Sequence, residues 1–161
     1  MERYKITRAT ARTIAEWIEL YEAKTKDKLD VPEGFTINFL ETRGFAVWKA
    51  DVKGNMLFIY HVCGDAKFWR DMGEMLCRQN GLRYISTICV RNVEAYIRFW
   101  NWEIQERHVV NGHKRFICKD QLGRCVVLTY KYNVIASGAD AYWVTQYLVD
   151  GENPKFIKES E

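Results

Sequence analysis

Met56-Leu57-Phe58-Ile59-Tyr60-His61-Val62-Cys63 runs into Gly64-Asp65, then into a helical stretch ending at Asn80-Gly81, then into Leu82-Arg83-Tyr84-Ile85-Ser86-Thr87-Ile88-Cys89-Val90. The first run is apolar with hardly a break, which predicts a central strand covered on both faces rather than an edge strand. Phe68, Met72, Met75 and Leu76 supply the expected buried stripe of the helix, and Gly81 is a good C-terminal stop because it accepts positive φ. A strand–helix–strand order over 56–90 calls for a right-handed crossover and a parallel pair.

Working outward toward the C-terminus, Asn92 is placed to cap a short helix with an apolar stripe of Val93, Tyr96, Ile97 and Trp100. Ile104–Val110, His113–Lys119 and Arg124–Lys131 are strand-like, joined at Asn111-Gly112 and Gln121-Leu122-Gly123. Asn-Gly between such runs is a strong hairpin signal. Asp140 to Val149, with Tyr142, Trp143 and Tyr147, reads as a final amphipathic helix, and the charged tail after Gly151 is expected to fray. Toward the N-terminus, Phe35–Leu40, Phe45–Asp51 and Met56–Cys63 form three short strands, the last two joined at Lys53-Gly54-Asn55. Before them, Ile14, Trp17, Ile18 and Tyr21 mark one face of a helix, with Thr10 as its expected N-cap and Lys24–Lys28 ending it. Tyr4–Ala9 alternates as a strand does. The fold class expected is therefore α/β: a mixed sheet flanked by helices, one domain over 1–161, with an added C-terminal helix and tail at 140–161.

Composition narrows the function classes. The net charge of +3 is spread along the 161 residues, and Arg91, Arg98 and Arg107 do not cluster, so nucleic acid is disfavoured. No apolar run reaches the ~20 residues of a membrane span. The opening Met1-Glu2-Arg3-Tyr4-Lys5 lacks the apolar core of a signal peptide, so a cytoplasmic protein is expected. The five cysteines form no C-x-x-C pair. Cys77 and Cys89 sit in apolar patterns as buried thiols, while Cys118 and Cys125 flank a turn and could face each other across it. His108 and His113 lie just upstream, but the spacing matches no structural zinc pattern and no metal is expected. Trp69, Trp100 and Trp102 suit a contact surface, with core packing or a homodimer seam as the weightier alternative.

Gly81-Leu82-Arg83-Tyr84-Ile85 followed by Ile88-Cys89-Val90-Arg91-Asn92-Val93-Glu94-Ala95 resembles the G-x-x-x-I…V-x-x-x-N-x-x-A pattern of the GNAT superfamily of N-acyltransferases. The resemblance makes residues 55–102 the cofactor-core-like segment and implies a GNAT-like central mixed sheet. It also implies acetyl-CoA as cofactor and an amine, on a small molecule or protein, as acyl acceptor. By position, Gly64 and Ala66 match the small residues of the phosphate loop, His61 falls where Arg or Gln is expected, and Asn92 matches the family asparagine. Val62, Cys63, Gly64, Ala66, Lys67, Asn92 and Phe99 are then the residues expected to touch the cofactor, between the C-terminal ends of strands 56–63 and 83–90. Helix dipole and backbone amides would hold the phosphates.

Two of the departures from the family bear directly on its chemistry. Asp65 would satisfy the helix amides with its own carboxylate and repel phosphate. Phe99 stands where the family carries the Tyr that protonates the leaving thiolate. Candidate substitutes are His61, Glu41 or Asp51 as base and Tyr96 or Cys89 as acid. Gly64-Asp65-Ala66-Lys67-Phe68 and Thr87-x-x-x-Arg91-Asn92-x-x-Ala95-Tyr96-Ile97-Arg98 also resemble small GNAT-like proteins of bacteriophages and prophages. That resemblance implies either a transferase with a degenerate active site or an inactive GNAT-like factor that binds a host or virion protein.

Overall fold

The computed structural model describes residues 11–26, 28–90, 92–131 and 141–149. Among them are three helices and eight strands, a mixed α/β protein. They fall into two compact units, Met1–Leu82 and Arg83–Glu161. The expected strand Tyr4–Ala9, the expected helix cap Thr10, Arg91 and the tail after Gly151 lie outside the described residues.

The first unit opens with α1 (Ile14–Thr25). Its cap is Thr13: the Thr13 hydroxyl accepts from Glu16 N at 3.2 Å while Glu16 accepts from Thr13 N at 2.8 Å. This reciprocal pair satisfies two amides that the helix itself leaves unbonded. Strands β1 (Thr36–Leu40), β2 (Gly44–Asp51) and β3 (Met56–Gly64) form an antiparallel meander. Trp17 of α1 packs with Phe45, Val47 and Cys63 on one face of it. Helix α2 (Ala66–Asn80) follows and ends at Gly81, whose φ of 70° gives the expected left-handed stop.

The buried stripe of α2 is not the expected one. Trp69, Gly73, Glu74 and Cys77 are buried, whereas Met72 and Met75 are 37% and 52% exposed. Gly73 explains the offset. A Cβ there would lie 3.0 Å from Leu57 Cδ2 and within 4 Å of Ile59 and Trp48. The helix backbone thus lies against the sheet at its smallest residue, and the Met residues are rotated outward. Glu74 tolerates burial because Arg70 and Arg78, one turn away on either side, both bond its carboxylate.

The second unit holds β4 (Tyr84–Cys89), α3 (Val93–Trp100), β5 (Glu103–Val110), β6 (His113–Lys119), β7 (Cys125–Lys131) and β8 (Ala141–Tyr147). Its strands lie in the order β4-β8-β7-β6-β5, all antiparallel. The β5–β6 turn is built as expected: Asn111 and Gly112 have φ of 51° and 82°, the pair of positive angles of a type I′ turn. Tyr96 and Trp100 of α3 pack against Cys89, Ile97, Trp102, Phe116 and Val144. Trp69 and Trp102 are buried and Trp100 is half-buried, so this trio is packed inside its units rather than displayed as a contact surface.

Where a C-terminal helix was expected over 140–149, Ala141–Tyr147 form a strand instead. Ala141-Tyr142-Trp143-Val144-Thr145-Gln146-Tyr147 is rich in aromatic and β-branched residues, and β8 bonds to β4 on one side and β7 on the other. Pairing on both edges supplies each peptide with partners that outweigh a weak helical period. The register also separates two cysteines. Cys118 pairs with Val126 and Cys125 with Lys119, so the two side chains leave opposite faces of the β6–β7 pair. Both are free thiols.

Candidate functional site

Two side-chain clusters in the first unit hold some of the residues that the sequence singled out. The first gathers around His61. Between Val47↔His61 and Trp48↔Ile59 the β2–β3 register slips, leaving Tyr60 as the extra residue of a bulge. A regular strand would alternate Tyr60 and His61 across the sheet; the bulge brings both to the α1 side. The two rings lie 4.1 Å apart. Tyr21, from α1, contacts His61 Nδ1 through its hydroxyl, and Asp30 Oδ1, from the loop after α1, lies 3.2 Å from His61 Nε2. With Nε2–H donating to Asp30, Nδ1 is free to accept the Tyr21 proton. The imidazole is nearly enclosed, at 13% exposure, while Asp30 is 59% exposed and keeps the array open to water. A histidine held between a carboxylate and a phenol can relay a proton. Neither Tyr21 nor Asp30 carries a sequence signal for this: one sits on a core-facing helical stripe and the other lies 31 residues away in a loop.

The second cluster is the turn from β3 into α2. Asp65 caps the helix, its Oδ1 accepting from Phe68 N at 3.1 Å. Arg43, from the β1–β2 turn, bonds the other carboxylate oxygen at 2.7 Å with its guanidinium 4.8 Å over the Phe68 ring. The Arg43 carbonyl accepts from Asp65 N at 3.0 Å and from Trp69 Nε1 at 2.8 Å. Gly64, at φ 101°, faces Gly44 across the pair, and a Cβ on it would lie 2.3 Å from the Arg43 carbonyl oxygen. Its smallness is therefore consumed by the chain's own backbone. A diphosphate would need bare amides here, and instead the Phe68 amide meets a carboxylate locked in an ion pair. The residues of this turn do not fit the acyl-CoA phosphates.

The remaining site residues scatter. Val62 and Lys67 are half-buried and Ala66 opens α2. Cys63 is buried, its thiol directed at the Trp17 carbonyl at 3.8 Å and pushed up in pKa by that burial. Glu41 is exposed, and its carbonyl accepts from Trp17 Nε1 at 2.8 Å and from Arg12 N at 2.9 Å. Asp51 Oδ1 accepts from Gly54 N at 3.1 Å and shapes the β2–β3 turn. In the second unit, Asn92 Oδ1 caps α3 by accepting from Ala95 N at 3.0 Å. Tyr96 is packed edge-on between Trp100 and Trp102. Phe99 is 49% exposed and lies edge-on to Trp100.

No helix among the described residues is long and apolar enough to cross a membrane. No protein-family model matches the chain, and no curated protein matches it either.

Proposed function

We propose that the chain is a GNAT-like protein that acts by binding another macromolecule rather than by turning over acetyl-CoA. The observation that carries this reading is the Asp65–Arg43 pair at the start of α2. Helix N-termini take up anions because their amides and dipole are unopposed. Here a carboxylate already accepts from the Phe68 amide, and a buried arginine holds it in place. Phe99 at the expected acid position points the same way. The resemblance to phage GNAT-like proteins suggests a host or virion protein in the cytoplasm of an infected cell as partner, or a second copy of the chain. Thermal-shift titration tests this. A ligand at ~100 times its dissociation constant stabilises by about 2.7 kcal/mol, a shift of several degrees. Millimolar acetyl-CoA is expected to leave the melting temperature unchanged, and a saturable rise would overturn the reading.

A second reading, acyl transfer to an amine or protein acceptor, rests on His61. Its position between Tyr21 and Asp30 suits a general base. Amine-dependent release of free thiol from acetyl-CoA, abolished in His61→Ala, would favour it over the first.

A further inference from the structure

Helix α2 buries Trp69, Gly73 and Cys77 and so turns its opposite face outward. That outward face is apolar along its centre. Met72 and Met75 are exposed, Phe68 and Leu76 are half-buried beside them, and exposed Gln79 continues the line. Phe68, Met72, Met75 and Gln79 are spaced i, i+4, i+7, i+11, the alternation of four and three that keeps one seam along a helix. Unbranched thioether side chains adapt to the surface they meet, which suits such a seam to an interface.

Charge indicates what covers this face. Asp71 and Arg78 each directly precede a residue of the seam, Met72 and Gln79, and so leave the helix on the same flank of it. The Arg78 side chain is 66% exposed, with one nitrogen on Glu74. Asp71 lies 3.7 Å from Arg70, a loose contact between sequence neighbours. A flank that carries one charge of each sign is complementary to its own reverse. A second copy of α2, laid antiparallel across the seam, sets Met72 against Met75 of the other copy and Phe68 against Gln79. The two-fold axis then joins like flanks, with Asp71 of each copy opposite Arg78 of the other. A parallel copy would set Asp71 against the Leu76 flank and form neither ion pair. We infer that the outer face of α2 is the seam of an antiparallel dimer of this chain. The 15 residues of α2 span about 22 Å, and paired helices lie ~8–10 Å apart, so the seam falls short of the ~800 Å² per partner of a permanent complex. The dimer is therefore weak and reversible. It gives the binding-protein reading one definite partner and rests on that reading.

Sedimentation equilibrium of the full chain from ~10 µM to ~1 mM spans the affinities open to so small an interface. The weight-average mass should climb from monomer toward dimer across that range. Met75→Lys places a charge where the side chain is already open to water, so the fold should survive, and association should weaken by about tenfold or more. Asp71→Arg and Arg78→Asp should each weaken association alone by setting like charges together. Mixed in equal amounts, the two variants should restore it, because one copy then carries only arginine on the flank and the other only aspartate. Should Arg78→Asp fail to fold, Met75→Lys and Asp71→Arg decide together. A chain still monomeric at ~1 mM, association unchanged in Met75→Lys or Asp71→Arg, or a mixture no more associated than its components would each overturn the inference. A monomer leaves the binding-protein reading standing, since a saturable response to acetyl-CoA is what overturns that.

Discussion

Removing the Asp65 carboxylate is the perturbation that separates a structural cap from a leftover of cofactor binding. In Asp65→Ala, α2 loses an N-cap, which costs about 1 kcal/mol. Arg43 also loses its partner. Its side chain is 8% exposed and that of Asp65 26%. Breaking a fully buried pair costs roughly 3–5 kcal/mol. Water reaching the Asp65 side and the Phe68 ring under the guanidinium reduce that to about 2 kcal/mol here. The total expected is about 3 kcal/mol. Asp65→Asn keeps an oxygen for the Phe68 amide and forfeits only the charge, so about 1–2 kcal/mol is expected. Urea unfolding followed by tryptophan fluorescence measures both, and the slopes should match the wild-type protein while the midpoints fall. If Asp65→Ala unfolded within ~0.5 kcal/mol of wild type, the usual scatter for an unimportant surface change, the structural account of this turn would be wrong.

Three further outcomes follow from particular contacts. Gly64→Ala forces a side chain into positive φ and against the Arg43 carbonyl, so a loss of more than about 2 kcal/mol is expected in the same urea assay. Asp120→Ala should cost about 3 kcal/mol, because Asp120 accepts from Arg124 N and Leu122 N at 2.8 and 2.9 Å and pairs with a buried Arg124; a near-neutral result would contradict that geometry. Burial pushes the thiols of Cys77 and Cys125 up to about 11 and that of Cys118 to about 12, from 9.0. Folding therefore favours the neutral thiols: their contribution is complete below pH 9 and is lost as pH rises from there toward 12. By pH 10 this amounts to about 1 kcal/mol per thiol, and melting curves at pH 8 and pH 10 should separate accordingly, less so in Cys118→Ala.

Much of the frame was legible because its signals are local. Asn111-Gly112 allows one turn type, Asn92 sits one residue ahead of an apolar helical stripe, and Gly81 ends α2 where expected. Asp65 was readable as a cap for the same reason. The misses are tertiary. The face that α2 buries was decided by where Gly73 lets the backbone approach Leu57, a feature that counting large apolar residues hides. β8 carries spacing compatible with a helix and becomes a strand because β4 and β7 offer it hydrogen bonds on both edges. The His61 cluster depends on a bulge at Tyr60, and an extra residue in a ladder leaves no mark in an apolar run.

We propose that Asp65 and Arg43 close the N-terminus of α2 to a cofactor. Amide NMR of the wild-type chain, titrated with acetyl-CoA to several millimolar at constant ionic strength, tests it at the atoms concerned. The Ala66, Lys67, Phe68 and Trp69 amide resonances are expected to stay in place throughout. Saturable shifts centred on those four amides would contradict it.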